Sequence, residues 1–348
     1  MGDGVTGIDV PRVSAWLAAH VDGAAAPFTF ELIAGGRSNL TFRVTDAGGR
    51  DWALRRPPVH HVLPTAHDMV REHTVLAAVG PAGVPVPTVV ALCTDEAVNE
   101  RPFYVMEFVE GHILRDARMA AEELDAEARA RVGTQLATTL AGLHALDPDE
   151  VGLAGLARHD GYIERQLRRW QGQYEQMRVA GIDQGAIVGE VGEALAVRIP
   201  PQQRVSIVHG DYRLDNTVLD DDGSVRAILD WEICTLGDPL ADIGILCDYW
   251  ADPGDVQVAL MGAAPTTAPG FESRDQVRKV YEATSGLDCT ELPYYQAFGY
   301  WKLACILQGV YARYAAGATA GDTGPVDGFP AHVVALAERA RDLLATRS

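Results

Sequence analysis

Asp211, Asn216 and Asp230 are the residues of this 348-residue chain whose types and order suit one particular chemistry. The first two lie in Ile207-Val208-His209-Gly210-Asp211-Tyr212-Arg213-Leu214-Asp215-Asn216, with four residues between them. An apolar run, Thr217-Val218-Leu219, follows. It turns at Asp220-Asp221-Asp222-Gly223 and returns as Val225-Arg226-Ala227-Ile228-Leu229 to deliver Asp230-Trp231-Glu232. Moving a phosphoryl group onto an alcohol needs a carboxylate to accept the hydroxyl proton. It also needs oxygen donors to hold Mg²⁺ on the phosphates of the donor nucleotide. Asp211 is assigned as the base. Asn216 and Asp230 carry hard oxygens of the kind Mg²⁺ takes. Arg213, two residues past the base, is placed either to meet a carboxylate or phosphate of the acceptor or to pair internally with Asp215 or Glu232.

A nucleotide needs a platform, and the first hundred residues read as one. Thr29–Ile33, Leu40–Val44 and Asp51–Arg55 are β-prone runs separated by turn residues. A helix is expected from Met69 to Val79, stopped by Gly80-Pro81. Val89–Leu92 and Phe103–Phe108 read as two further strands. The loop Gly35-Gly36-Arg37-Ser38-Asn39, between the first two strands, can fold over phosphates with backbone N–H groups as donors. Beyond Gly111 the pattern becomes helical. Val132, Leu136, Leu140, Leu143 and Leu146 form one amphipathic stripe, and 162–177 and 294–314 read as further helices. The expected architecture is α+β, with a β-rich N-terminal lobe at 1–106 (a sheet plus one helix), a hinge at 107–111 and a helical C-terminal lobe at 112–348 that holds the catalytic loop, the metal site and the acceptor pocket.

At His209-Gly210-Asp211…Asn216 and Asp230-Trp231-Glu232 the sequence resembles the aminoglycoside phosphotransferase and choline kinase family, which has a protein-kinase-like fold. Leu236-Gly237-Asp238-Pro239-Leu240-Ala241-Asp242-Ile243 looks like that family's downstream motif, with Asp238 and Asp242 read as structural. The resemblance implies an ATP- and Mg²⁺-dependent small-molecule kinase. It places Gly36, Ser38 and Asn39 at the nucleotide phosphates and makes Met106-Glu107-Phe108-Val109 the hinge, where backbone groups of Glu107 and Val109 bond adenine. On the third strand a kinase carries a lysine that contacts the phosphates and pairs with a helix glutamate. The matching residue here is Arg55, its partner Glu72, and lysine occurs only at Lys279 and Lys302. Leu54-Arg55-Arg56-Pro57-Pro58, Arg71-Glu72-His73 and Gly210-Asp211-Tyr212-Arg213-Leu214-Asp215-Asn216 together resemble the branch associated with acyl-CoA dehydrogenases. For that branch the implied acceptor is a hydroxyacyl group, often as its CoA thioester. The alternatives are an aminoglycoside or amino-alcohol kinase, and a non-catalytic nucleotide-binding partner of an acyl-CoA dehydrogenase.

Composition narrows the field further. Lys and Arg number 29 against 48 Asp and Glu, a formal charge of −19. Binding to nucleic acid or anionic membrane needs an exposed basic surface, so neither is expected. No apolar run approaches the ~18–20 residues that span a bilayer. The first residues lack a basic segment followed by an apolar one, so a cytoplasmic location is expected. Five scattered cysteines without a C-x-x-C pair exclude a zinc knuckle and read as buried free thiols.

Overall fold

A computed structural model of the chain describes residues 5–34, 39–59, 68–177, 186–255, 264–315 and 328–346. The chain divides into two compact units, Met1–Gly111 with Arg226–Cys234, and His112–Val225 with Thr235–Ser348. The class is α+β.

The first unit opens with helix α1 (Val10–His20), capped by Asp9, whose side chain accepts the N–H of Arg12. Strands β1 (Thr29–Ala34), β2 (Leu40–Thr45), β3 (Asp51–Arg56), β4 (Val89–Cys93) and β5 (Phe103–Glu107) form one antiparallel sheet in the order β1-β2-β3-β5-β4. Helix α2 (Met69–Val79) and the one-turn helix α3 (Glu96–Asn99) complete the unit. Phe42, Val44, Leu54, Phe103 and Val105 form the core with Val13 and Leu17 of α1. Each such side chain taken from water contributes about 1.5–3 kcal/mol. The expected sheet-plus-one-helix plan thus gains α1 and α3. Val10, Val13, Leu17 and Val21 recur at helical spacing, and that stripe is what the sheet needs on the face opposite α2.

Alternation along β3 then sorts its residues. Successive strand side chains point to opposite faces, so Leu54 enters the core under α1 while Arg55 lies on the face of Glu72. Arg55 sits opposite Thr41 of β2 and Tyr104 of β5.

The second unit is mainly helical. It contains α4 (Ala117–Glu123), α5 (Ala126–Ala145), α6 (Tyr162–Gln176) and α7 (Ile187–Val197). Short strands follow: β6 (Ser206–Val208), β7 (Thr217–Leu219), β8 (Val225–Ile228, which carries the chain into Arg226–Cys234) and β9 (Thr235–Gly237). It ends with α8 (Leu240–Tyr249), α9 (Arg274–Ser285), α10 (Leu292–Ala315) and α11 (Phe329–Ala345). The expected stripe of α5 is buried at Val132, Leu136, Leu140 and Leu143. The aromatic run Tyr294, Tyr295, Phe298, Tyr300 and Trp301 is buried throughout, as core. All five cysteines are buried free thiols. Among the described residues no helix is long and apolar enough to cross a membrane.

Strands β6 and β9 pair antiparallel, Ser206 opposite Gly237 and Val208 opposite Thr235. Their close seat depends on Gly237, because a Cβ there would lie 2.4 Å from the ring of Tyr162 on α6. Gly237→Ala should therefore cost about 1–3 kcal/mol by overpacking. The expected result in urea unfolding is a lower midpoint with an unchanged slope. A wild-type midpoint would mean that the ring yields freely.

Candidate active site

In the second unit, strand β6 runs directly into His209-Gly210-Asp211. Gly210 has φ 87°, a left-handed conformation that glycine adopts without a Cβ penalty. The turn is held from below by the fully buried carboxylate of Asp242, in the first turn of α8. Its Oδ2 accepts the N–H of His209 at 2.7 Å and its Oδ1 the N–H of Gly210 at 2.8 Å. Nε2 of His144 lies 3.2 Å from Oδ2, and Nδ1 of the same ring lies 2.7 Å from the Tyr281 hydroxyl. Burial works against the charge of Asp242, yet the bonds from His144 and the backbone outweigh it and hold the carboxyl below the usual range.

Asp211 is thereby presented with a partly exposed side chain. Its own N–H donates to Nδ1 of His209 at 3.2 Å. Its Oδ2 accepts from Nδ2 of Asn216 at 2.8 Å and from Nε of Arg213 at 3.2 Å. The Asn216 Nδ2 also donates to the Asp211 carbonyl at 2.9 Å. With its nitrogen spent on Asp211, Asn216 keeps its amide oxygen for another partner. Arg213 makes the internal pairing that was one of its two expected roles. Its Nη1 pairs with Asp215 at 2.9 Å, and its guanidinium lies 4.7 Å from the centroid of the Tyr249 ring. Burial pushes the Asp215 carboxyl up, against the pull of Arg213.

The first unit gathers the other predicted residues around Arg55. Its Nε donates to Oε2 of Glu72 at 2.9 Å, its Nη2 donates to Asp230, and its Nη1 reaches the Thr41 hydroxyl at 3.4 Å. Burial opposes the guanidinium charge, but Glu72 and Asp230 outweigh it and hold the group above its usual range. Glu72 is buried and also receives the Tyr104 hydroxyl at 3.0 Å and Nδ2 of Asn39 at 2.7 Å. Asp230 has φ 65°, uncommon for a residue other than glycine and tolerated by Asp and Asn. One planar fork thus joins the helix carboxylate to the metal-ligand candidate, a bridge that a point-charge ammonium makes less well.

Of the expected nucleotide contacts, Gly36 and Ser38 lie outside the described residues. Asn39, expected at the phosphates, has a buried side chain that supports Glu72 and donates to Glu232 at 3.2 Å. At the expected hinge, the N–H of Glu107 is taken by the Thr88 carbonyl at 2.8 Å. The backbone N–H and C=O of Val109 have no partner among the described residues.

The donor set suits Mg²⁺ brought with a nucleotide. Among the described residues no three His, Cys, Asp or Glu side chains cluster to hold a metal by themselves. Mg²⁺ commonly takes one or two protein oxygens and completes its shell with phosphates and water. The Asn216 amide oxygen and the Asp230 carboxylate are donors of that type. Sequence reading passed over His144 and Lys302, both buried and both touching the loop assembly. The Lys302 Nζ lies 3.0 Å from the Gly210 carbonyl. Its scarcity, as one of two lysines, was the signal available.

Comparison with known proteins agrees with this geometry. The model of the "Phosphotransferase enzyme family" matches residues 29–276. Over 314 residues, 88 % of this chain, the sequence is 34 % identical to acyl-CoA dehydrogenase family member 11 of Gallus gallus, and over 84 % of the chain it is 33 % identical to family member 10 of Mus musculus. The matches span only 39 % and 27 % of those longer proteins. A solved structure of a putative aminoglycoside phosphotransferase from Ralstonia eutropha is 31 % identical with a TM-score of 0.80, covering 97 % of this chain and 98 % of that one. Choline kinase from Cryptosporidium parvum, at 11 % identity and a TM-score of 0.67 over 97 % of both chains, shares the fold.

Asp238 yields a pH prediction. Its Oδ2 accepts the Tyr295 hydroxyl at 2.7 Å and its Oδ1 the N–H of Leu240 at 3.1 Å, while burial pushes the carboxyl up to about 6. A folded-state value above the unfolded one favours the native state at low pH, and that contribution is lost as pH rises through about 6. Asp238→Asn removes the titration. The melting temperature of the variant relative to wild type should therefore climb between pH 4 and pH 7.5, by the equivalent of roughly 2–3 kcal/mol. A difference that stays flat across that range would refute the assignment.

Proposed function

The chain belongs to the phosphotransferase enzyme family, and from that premise we propose that it transfers the γ-phosphoryl group of ATP to the hydroxyl of a hydroxyacyl compound, free or as its CoA thioester. The observation that carries this reading is the Asp211 carboxylate, part-exposed and held by Asn216 at 2.8 Å. Asp211 takes the proton as the acceptor oxygen bonds to phosphorus and the bond from phosphorus to the bridging oxygen of ADP breaks. Arg213 keeps Asp211 oriented. Arg55, set by Glu72, meets the phosphates. Backbone groups of Glu107 and Val109 take the base. Mg²⁺ bound by Asn216 and Asp230 supplies neutralisation of phosphate charge.

Support for the acyl acceptor comes from the two curated relatives, both named as acyl-CoA dehydrogenase family members. Partnership with such a dehydrogenase, and action in the cytoplasm, are part of the same proposal. Two observations favour a second reading, an aminoglycoside or amino-alcohol acceptor: the net charge of −19 and the similarity to the Ralstonia protein. Screening removes the pull of distant surface charges beyond about 8–10 Å at physiological salt, so the bulk charge weighs less.

An ATP-consumption screen over hydroxyacyl-CoAs, free hydroxy acids, amino alcohols and aminoglycosides separates the two. Turnover of hydroxyacyl compounds is expected, and turnover of aminoglycosides alone would select the second reading. Asp211→Asn should keep nucleotide affinity while lowering kcat by ~10²–10⁴-fold. Near-normal kcat, with chemistry rate-limiting, would sink the base assignment. Asp230→Ala should raise the Mg²⁺ needed for half-maximal rate, a shift read by metal titration. Unchanged titration curves would remove Asp230 from the metal site.

A further inference from the structure

Lys302, on α10, is buried beside the transfer loop, and among the described residues its one hydrogen bond goes to the Gly210 carbonyl at 3.0 Å. Its Nζ also lies 5.8 Å from the centroid of the Trp170 ring. Lysine is almost never buried without a partner, and a core filler would be Leu or Met at no cost in desolvation. Burial pulls the ammonium pKa down; Asp211 and Asp242 draw it back up, and Arg169 adds to the lowering. A buried cation in a chain with two lysines therefore meets the loop at a single peptide group.

That peptide is the one with most freedom to turn. Gly210 sits at φ 87°, where the absence of a Cβ leaves both signs of φ open. Asp242 fixes the N–H of Gly210 on one side. The carbonyl, which belongs to the peptide leading into Asp211, is outside its reach. We propose that Lys302 is a positioning residue: by holding the Gly210 carbonyl it fixes the Gly210–Asp211 peptide and thereby the direction of the Asp211 carboxylate. The inference rests on the reading of Asp211 as the base, because only then does the direction of that carboxylate govern rate. A displacement on the order of 1 Å in a reacting group can cost ~10²-fold.

The test combines turnover with amide hydrogen exchange. Lys302→Met keeps the length of the side chain and removes its donors. We expect kcat to fall by ~10–10²-fold, with KM for nucleotide and acceptor within about twofold of wild type. Amides of 209–212 should exchange faster while those of α10 keep their protection. Lys302→Arg, which keeps a charged donor, should recover loop protection and most of the turnover. Wild-type protection of 209–212 in folded Lys302→Met overturns the proposal. If the methionine variant does not fold, the arginine variant decides. A protected loop supports the proposal, whereas a loop that exchanges freely above a protected α10 overturns it. Exchange is measured on the wild-type chain without nucleotide or acceptor. A wild-type chain that turns over no acceptor would therefore defeat the functional reading and leave the anchoring result to stand alone.

Discussion

The transfer loop hangs from one buried carboxylate, that of Asp242. A charge in a dry interior is costly unless its oxygens are filled, and here they take two backbone N–H groups and a histidine. The same bonds give the loop its shape, since consecutive N–H groups point at one side chain only when the backbone turns tightly. Gly210 allows that turn and the β6–β9 pair fixes where it starts. Breaking such a contact by removing one partner costs about 3–5 kcal/mol, because the other polar groups stay buried and unpaired. The N–H groups of His209 and Gly210 therefore have little choice of direction once α8 is in place.

The first unit uses the opposite sign. There a cation, Arg55, is ringed by Glu72 and Asp230, and Glu72 is in turn loaded by Tyr104 and Asn39. Each side chain in that chain of contacts restrains the next. Strand alternation puts Arg55 on the right face, and α2 brings the acid. Both networks are built from short-range, largely buried contacts, so distant surface charge affects them little. A protein with a net charge of −19 can thus keep a buried cation in place.

What was legible in the sequence were the features with local grammar. The strands of the sheet, the stripe of α5, and the string from His209 to Asn216 are read from neighbours a few residues apart. Arg55 and Glu72 were legible because the resemblance to a kinase-like fold implied a third-strand cation paired with a helix glutamate. Helix α1 was missed although Asp9, Pro11 and its apolar spacing announce it. The place of Asn39 in a glycine loop pointed to phosphates through its backbone, and only the fold adds that its side-chain amide serves Glu72. Only its rarity marked Lys302, and nothing marked His144. The contact of Lys302 with Gly210 crosses 92 residues of chain, and those of His144 with Ser206 and Asp242 cross 62 and 98, with no periodicity.

The guanidinium on β3 has one consequence for how this protein would appear to a chemist. Reagents that find nucleotide sites by acylating a lysine depend on a nucleophilic amine beside the phosphates, and a guanidinium that stays protonated does not react with them. Lys302 is enclosed and bonded to a carbonyl, which leaves Lys279, exposed and paired with Asp275 on the surface of α9, as the accessible amine side chain. In an activity-profiling experiment built on such probes, this protein would be labelled at Lys279 and not at the cation of β3.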